Sequence, residues 1–432
     1  MTGEKFKSIS RRLLLKTIGG VAVGFGLSKL LSSAWTQASG QTVQPLPQFT
    51  GPDANPYWGS VGPFVVYPQK FPLIQLTDRP IQLETPRHYF LTPFTPNAAF
   101  YVRWHLDNIP NAVNLSEWRL FIEGNIEKPL ALSLTDLMSK FKPVTIAAVN
   151  QCSGNSRSRF QPRVPGGQWG NGAMGNALMT GVHLKDLLNA ARVKSGSLQI
   201  QFEGLDRGRG PKDTGSYRFQ KSLNVNDSVI DEAIIIYEMN GEPLPMLNGF
   251  PVRLVVPGKF ATYWIKALTW IRIVTEPDTN FWMAKAYCVP DTPRGNTTFN
   301  DVKHGRVRMI PIKTMPVRSF IITPDGTSKV PSEMPIMVQG IAFSGYSKII
   351  KVEFSENNGV IWHKTELGED YGPYSFRTWK TPWTPKHVGK YTLAVRATDE
   401  KGNTQPDEEI WNPGGYLWNK IERQEVTVGA SQ

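Results

Sequence analysis

Apolar and polar positions alternate in short runs along most of this chain, and helical spacing is confined to a few brief stretches. Phe100, Val102, Trp104 and Leu106 alternate with Tyr101, Arg103 and His105, which predicts a strand whose Arg103 and His105 project the same way. Val144, Ile146, Ala148 and Val149 form an apolar run of the kind that makes a buried strand. Ile234 to Tyr237 predicts another, with Asn240-Gly241 as the turn of a hairpin, and Arg253 to Val256 a further one closed by Pro257-Gly258. A period near 3.6 appears at Leu134, Leu137, Met138 and Phe141, opened by Ser133 with Asp136 at the capping-box position. It returns at Leu184, Leu187, Leu188 and Ala191, directly after a glycine-rich stretch over 165–181 that reads as a loop. Short helices mixed with hairpin strands predict an α+β fold rather than a doubly wound one.

Proline, glycine and aromatic residues dominate from 41 to about 100, the composition of an extended segment wrapped over a core. From about residue 313 the pattern changes. Ile336, Val338, Gly340 and Ile341, then Val352 and Phe354, then Tyr391, Leu393, Val395 and Ala397 alternate between turn signals at Gly345, Asn358-Gly359 and Lys401-Gly402. That spacing predicts an immunoglobulin-like β-sandwich. The expected division is therefore a signal over 1–40, a first domain over 41–312 and a sandwich over 313–432.

The signal rests on Arg11-Arg12 ahead of a moderately apolar, glycine-containing stretch from Thr17 to Leu31. Paired arginines in that setting look like a twin-arginine export signal, which places the mature chain in the periplasm or otherwise outside the cytoplasm, with no stable membrane span once it is cleaved. This route carries folded proteins, so a cofactor can be loaded before transit. The net charge of +12 falls to +7 when residues 1–40 are removed. A moderately basic protein suits anionic substrates or an acidic partner. The basic stretch from Arg207 to Lys212 is flanked by Asp206 and Asp213 and has no interleaved aromatics, so nucleic-acid binding is not expected.

Cys152 and Cys288 are the only cysteines. A disulfide between them is one use; a reactive or metal-binding thiolate at Cys152, where an apolar strand runs into small polar residues, is another, and plain packing is a third. The following loop carries Arg157, Arg159 and Arg163 among many glycines, so it can bring fixed charge and backbone amides to a large anionic ligand. The motifs of zinc hydrolases, nucleophile elbows, phosphate-binding loops and covalent haem are all missing. A lone thiolate leaves a metal under-ligated unless an organic cofactor supplies the rest, which points to a dithiolene-type molybdenum site.

Four segments then become specific: Gln151-Cys-Ser-Gly-Asn-Ser-Arg157, Trp169-Gly-Asn-Gly-Ala-Met-Gly-Asn176, Tyr237-Glu-Met-Asn-Gly-Glu-Pro-Leu-Pro245 and Gly249-Phe-Pro-Val-Arg-Leu-Val-Val-Pro-Gly258. Together and in this order they resemble the sulfite oxidase family of molybdopterin enzymes, closest to bacterial sulfite:cytochrome c oxidoreductases. The resemblance implies a molybdopterin-binding domain followed by the sandwich, and molybdenum held by one molybdopterin dithiolene with Cys152 as the protein ligand. It implies catalytic roles for Arg103, His105, Arg157, Tyr287 and the pocket residue Trp169, and cofactor contacts from Asp206, Asn248, Arg253 and Lys266. Its implied reaction is oxidation of sulfite to sulfate, with electrons passed to a separate cytochrome c-type acceptor; the sandwich allows a homodimer. Three positions depart from the pattern: Asn248 stands where animal enzymes have a histidine, Gly414 where they have an arginine, and Cys288 where a basic residue is common. Other readings are a sulfane dehydrogenase-like subunit, an oxidoreductase of another small oxyanion, or a non-catalytic exported binding protein.

Overall fold

A computed structural model describes residues 64–65, 67–209, 216–327 and 329–430. The expected export signal and part of the basic stretch after Arg207 lie outside these residues. Among the described residues four sheets build the first region, the smallest pairing Cys288–Pro290 with Met309–Pro311. In one, Gln82–Glu84 lies between Leu73–Thr77 and Val102–Arg103. The second runs in the order Ser216–Asn224, Gln199–Arg209, Leu268–Val274, Leu120–Gly124, Leu130–Leu132. The third sets Ile234–Met239 beside Met174–His183 and then Pro143–Gln151, with Arg253–Val255 pairing onto Ile234–Met239. Sheets dominate and α-helices are few, the longest described being Leu134–Lys140 and Leu184–Ala191.

Local chemistry explains where these elements begin. Ser133 accepts from the Asp136 amide while the Asp136 carboxylate accepts from the Ser133 amide, a complete capping box. Only Leu137 of that helix is fully buried, and Met138 is exposed, so the predicted apolar face is narrower than its spacing suggested. The second helix buries Leu184, Leu187, Leu188 and Ala191 as expected. Asn240 and Gly241 both have positive φ, the requirement of the tight turn that returns Glu242–Pro243 onto Ile234–Met239.

Two expectations are corrected. The predicted loop over 165–181 is half strand: Met174–His183 pairs with Pro143–Gln151 on one side and Ile234–Met239 on the other. Gly175 and Gly181 serve close packing rather than turning, since a Cβ on Gly175 would stand 2.5 Å from the Phe100 ring and one on Gly181 2.0 Å from the Ile235 carbonyl oxygen. The strand expected over 100–106 shrinks to Val102–Arg103, although Phe100, Val102, Trp104 and Leu106 are all buried. Cys152 and Cys288 are both buried free thiols, so the disulfide alternative is not realised.

The C-terminal region packs two sheets. One orders Arg318–Thr323, Ile336–Phe343, Arg377–Trp383 and Glu366–Leu367; the other orders Val330–Pro331, Glu422–Gly429, Gly389–Asp399, Ile349–Ser355 and His363–Lys364. Val338, Val352, Phe354, Leu393, Val395 and Ala397 fill the space between them. This region also shares its core with the first: Phe320 and Phe376 meet the ring of Phe90 edge-on, at 6.1 and 6.4 Å. Fully buried Arg318 donates to Ser156 Oγ at 2.6 Å and Asn171 Oδ1 at 2.8 Å. Glu422 takes Arg159 at 2.8 Å and Asn171 Nδ2 at 3.1 Å. The loop after Cys152 is therefore held from the C-terminal side.

Candidate functional site

Strand Pro143–Gln151 becomes fully buried over its last five residues and delivers Cys152 just past its end. The Cys152 amide donates to the Ala173 carbonyl at 2.9 Å, and the Cys152 carbonyl accepts from Asn155 at 3.0 Å. Asn155 locks the turn by donating to the Asn171 carbonyl and accepting from the Ala173 amide. Cys152, only 7% exposed, lines a cavity at this point.

Seven of the ten predicted site residues line this one cavity: Cys152, Arg103, His105 and Tyr287, with Asn248, Arg253 and Lys266. The other three stand a layer out. Trp169 meets the lining residue Tyr101 edge-on at 6.5 Å. Asp206 acts on Lys266 through its charge. Arg157 reaches the cavity wall through Tyr416, its guanidinium 5.2 Å from that ring. The remaining loop arginines do other work: Arg159 pairs with Glu422, and Arg163 bonds Gln168 at 3.1 Å near the surface.

His105 lies flat on Phe219 at 3.7 Å and hydrogen-bonds the Tyr287 hydroxyl through Nε2, while buried Nδ1 has no partner. Burial pushes its pKa well below the ordinary histidine value, and the charges of Arg103, Lys266 and Lys221 push the same way, so the imidazole is neutral. Burial raises the Tyr287 hydroxyl, partly offset by Arg103. Both partners of this bond are thus uncharged near neutral pH.

On the other wall, buried Arg253 donates to the Asn248 carbonyl at 3.2 Å and to Asn150 Oδ1 at 3.3 Å. Lys266 sits 4.6 Å from the Trp104 ring centre, its pKa lowered to about 7 by burial and then by Arg253. Asp206 is raised to about 6 by burial, with Lys266 pulling it back down. Asn248 is fully engaged: Oδ1 accepts from the Lys70 ammonium and Nδ2 donates to the Tyr101 carbonyl at 3.1 Å.

Lys70, Lys221 and Tyr416 were not found from the sequence. Lys70 also donates to the Asn97 and Phe100 carbonyls at 2.7 and 3.0 Å, and burial brings it to about 7. Lys221, equally lowered to about 7 by burial, donates to the Trp282 carbonyl at 2.7 Å and lies 5.7 Å from the Tyr287 ring centre. A lysine in a proline-rich stretch or on a strand gives no signal of such burial. The Gly414-Gly415 pair before Tyr416 was a usable turn signal.

The cavity wall has unused bonding capacity. Ser153 Oγ, Thr262 Oγ1, Arg253 Nε and His105 Nδ1 are buried without partners, as is Asn150 Nδ2 beside Arg253. Buried polar groups are nearly always paired, so this clustering marks a place for a polar ligand. The cations Arg103, Arg253 and Lys266 make that ligand anionic, and Cys152 adds a soft donor. No group of three or more His, Cys, Asp or Glu able to hold a metal occurs among the described residues, so a metal at Cys152 needs ligands from a cofactor.

Known proteins resemble this chain in sequence and fold. Residues 105–282 match the family model described as oxidoreductase molybdopterin binding domain, and residues 309–428 match the Mo-co oxidoreductase dimerisation domain. The mitochondrial sulfite oxidase of Drosophila melanogaster is 32% identical over 388 residues, covering 85% of this chain and 65% of that protein. The Rattus norvegicus mitochondrial sulfite oxidase is 31% identical over 385 residues, 85% of this chain and 68% of its own length. This chain thus spans about two thirds of these relatives. The solved structure of the sulfane dehydrogenase SoxCD from Paracoccus pantotrophus aligns with a TM-score of 0.70 at 24% identity, over 90% of this chain and 98% of that one, a likeness of fold.

Proposed function

Since the chain belongs to the sulfite oxidase family of molybdopterin-dependent oxidoreductases, we propose that it oxidises sulfite to sulfate at Cys152 and passes the electrons to a separate cytochrome c-type acceptor. Its cofactor is molybdenum with molybdopterin. The free thiol of Cys152 would ligate the metal, Arg253, Ser153 and Thr262 would meet the pterin and its phosphate with the capacity they leave unused, and Lys266 would add its charge. When bound, this group supplies oxygen-atom transfer to sulfur and takes up two electrons. Per turnover, water provides the oxygen of sulfate, and two protons and two electrons leave.

The observation that carries the reading is the joining of Cys152, Arg103, His105 and Tyr287 in one small buried cavity. Arg103 pairs with a sulfite oxyanion, and the neutral His105–Tyr287 pair offers a donor and an acceptor with which to orient the anion and carry a proton. A nearly buried thiol suits a small oxyanion better than sulfur carried on a partner protein. We retain export by the twin-arginine route, an immunoglobulin-like form for the sandwich and a homodimer through it as parts of this proposal. One experiment tests it: protein purified from the periplasm of a molybdopterin-producing host should reduce cytochrome c in the presence of sulfite, with about one molybdenum per chain on the same sample. Metal-free protein would return the chain to the binding-protein reading, and turnover of another oxyanion alone would replace sulfite.

Lys266 adds a second test. At about 7, its ammonium is half deprotonated near neutral pH, and an anion seated beside it favours the charged form. Loading therefore draws a proton onto Lys266, so retention of an anionic pterin is strongest below about pH 7 and weakens as pH rises. A charge-assisted contact contributes about 1.5–3 kcal/mol, so Lys266→Met is expected to lower molybdenum and pterin recovered per chain by about half or more. An unchanged ratio would place the phosphate elsewhere.

A further inference from the structure

The segment from Asn412 to Leu417 turns inward from the C-terminal region. Asn412 is fully buried and brackets the turn, donating to the Tyr416 carbonyl at 2.7 Å and accepting from the Tyr416 amide at 3.1 Å. A Cβ on Gly414 would stand 2.3 Å from the Tyr416 ring, and one on Gly415, whose φ is +58°, would stand 2.8 Å from Arg157 Cγ. Only glycines let the turn close this tightly. What it presents is the ring of Tyr416, stacked on Tyr287 with centroids 5.6 Å apart and planes 20° apart.

Arg157 backs that stack. Its Nε donates to the Gly414 carbonyl at 3.2 Å and its Nη1 to the Gly167 carbonyl at 3.0 Å. The guanidinium lies so close to Gly154 and Gly166 that a Cβ there would meet it at 2.4 and 3.0 Å. Arg157, Tyr416 and Tyr287 thus form a cation–ring–ring column ending at the hydroxyl bonded to His105. Tyr287 needs such support: its φ is +55°, a conformation that a bulky residue leaves unless its surroundings hold it. Its carbonyl is held by the Ile312 amide at 2.8 Å, and its backbone also meets the Tyr416 hydroxyl.

We propose that Tyr416 is a positioning residue of the active site, holding Tyr287 in its left-handed conformation and keeping the charge of Arg157 behind the Tyr287 ring rather than inside the cavity. The proposal rests on the reading above that Tyr287 serves the substrate. A double-mutant cycle in the molybdenum-loaded protein, with sulfite and ferricyanide as the small one-electron acceptor, tests it. Tyr416→Leu is expected to lower kcat about tenfold in the native background and less than about twofold in Tyr287→Phe, with molybdenum per chain unchanged in all four proteins. Equal losses in both backgrounds would overturn the proposal. Should the leucine variant fail to accumulate, Tyr416→Phe, which keeps the stack and loses only the hydroxyl, carries the same cycle with a loss of about two- to threefold. A crystal structure of the Tyr416 variant gives a readout free of turnover: Tyr287 is expected to leave positive φ and its hydroxyl to part from His105. A Tyr287 that stays in place sinks the idea. If the wild-type protein oxidises no sulfite, the substrate reading fails, and the crystal structure still decides this one.

Discussion

Replacing Cys152 with serine is expected to abolish sulfite-dependent reduction of any acceptor, a loss of at least about a thousandfold in kcat, because a hard hydroxyl replaces the soft donor that suits the metal. The fold should not notice. Serine is slightly smaller than cysteine, and the turn at 152–155 is fixed by backbone bonds and by Asn155 rather than by the thiol. The unused polar groups of the cavity remain available, so pterin can still be recovered with the variant. The measurement is turnover with ferricyanide alongside molybdenum, pterin and melting temperature on one sample. Undiminished turnover would remove Cys152 from the metal.

The second large effect is on stability. Glu203, fully buried in Gln199–Arg209, accepts from Arg207 at 3.1 Å and Arg218 at 2.8 Å on one oxygen, and from Gln220 and Arg272, each at 2.7 Å, on the other. Glu203→Gln keeps the shape and removes the charge, leaving three guanidiniums facing one another. Breaking a fully buried pair costs about 3–5 kcal/mol. The side chain of Arg218 is 46% exposed and those of Arg207 and Arg272 about a quarter, so water screens part of the repulsion. The discounted cost is about 2–4 kcal/mol. For a chain of this size that lowers the melting temperature by roughly 3–5 °C. Calorimetry on the loaded protein checks it, and a shift below about 1 °C would show that the network is dispensable.

The sequence made some of this legible because local chemistry decided it. The alternation around Arg103 and His105 put both on the cavity even though the regular strand is only Val102–Arg103. The capping box at Ser133, the turn at Asn240-Gly241 and the buried face of Leu184–Ala191 are likewise short-range signals. Glycine misled where it served two purposes: Gly175 and Gly181 lie inside a central strand because neighbours press against them. Cysteine and arginine positions on the Cys152 loop were readable, but their partners were not. Arg157 bonds Gly414, Arg159 bonds Glu422, and Lys70 bonds Asn248, each far along the chain. Nothing near those residues tells a binding cation from a structural one, so three loop arginines looked alike and only Arg157 reaches the site, through Tyr416.

The core shared through Phe90, Phe320 and Phe376, and the grip of Arg318 and Glu422 on the Cys152 loop, bear on how such proteins diverge. All the residues that line the cavity come from the first region, so by sequence the two regions look like parts free to be exchanged. They are not interchangeable parts. A sandwich borrowed from a relative would bring its own counterparts of Arg318, Gly414, Tyr416 and Glu422, and with them a different seat for the Cys152 loop. Inheritance of the active site is therefore spread over both halves, and a chimera joined between them would be a new enzyme rather than an old one with a new tail.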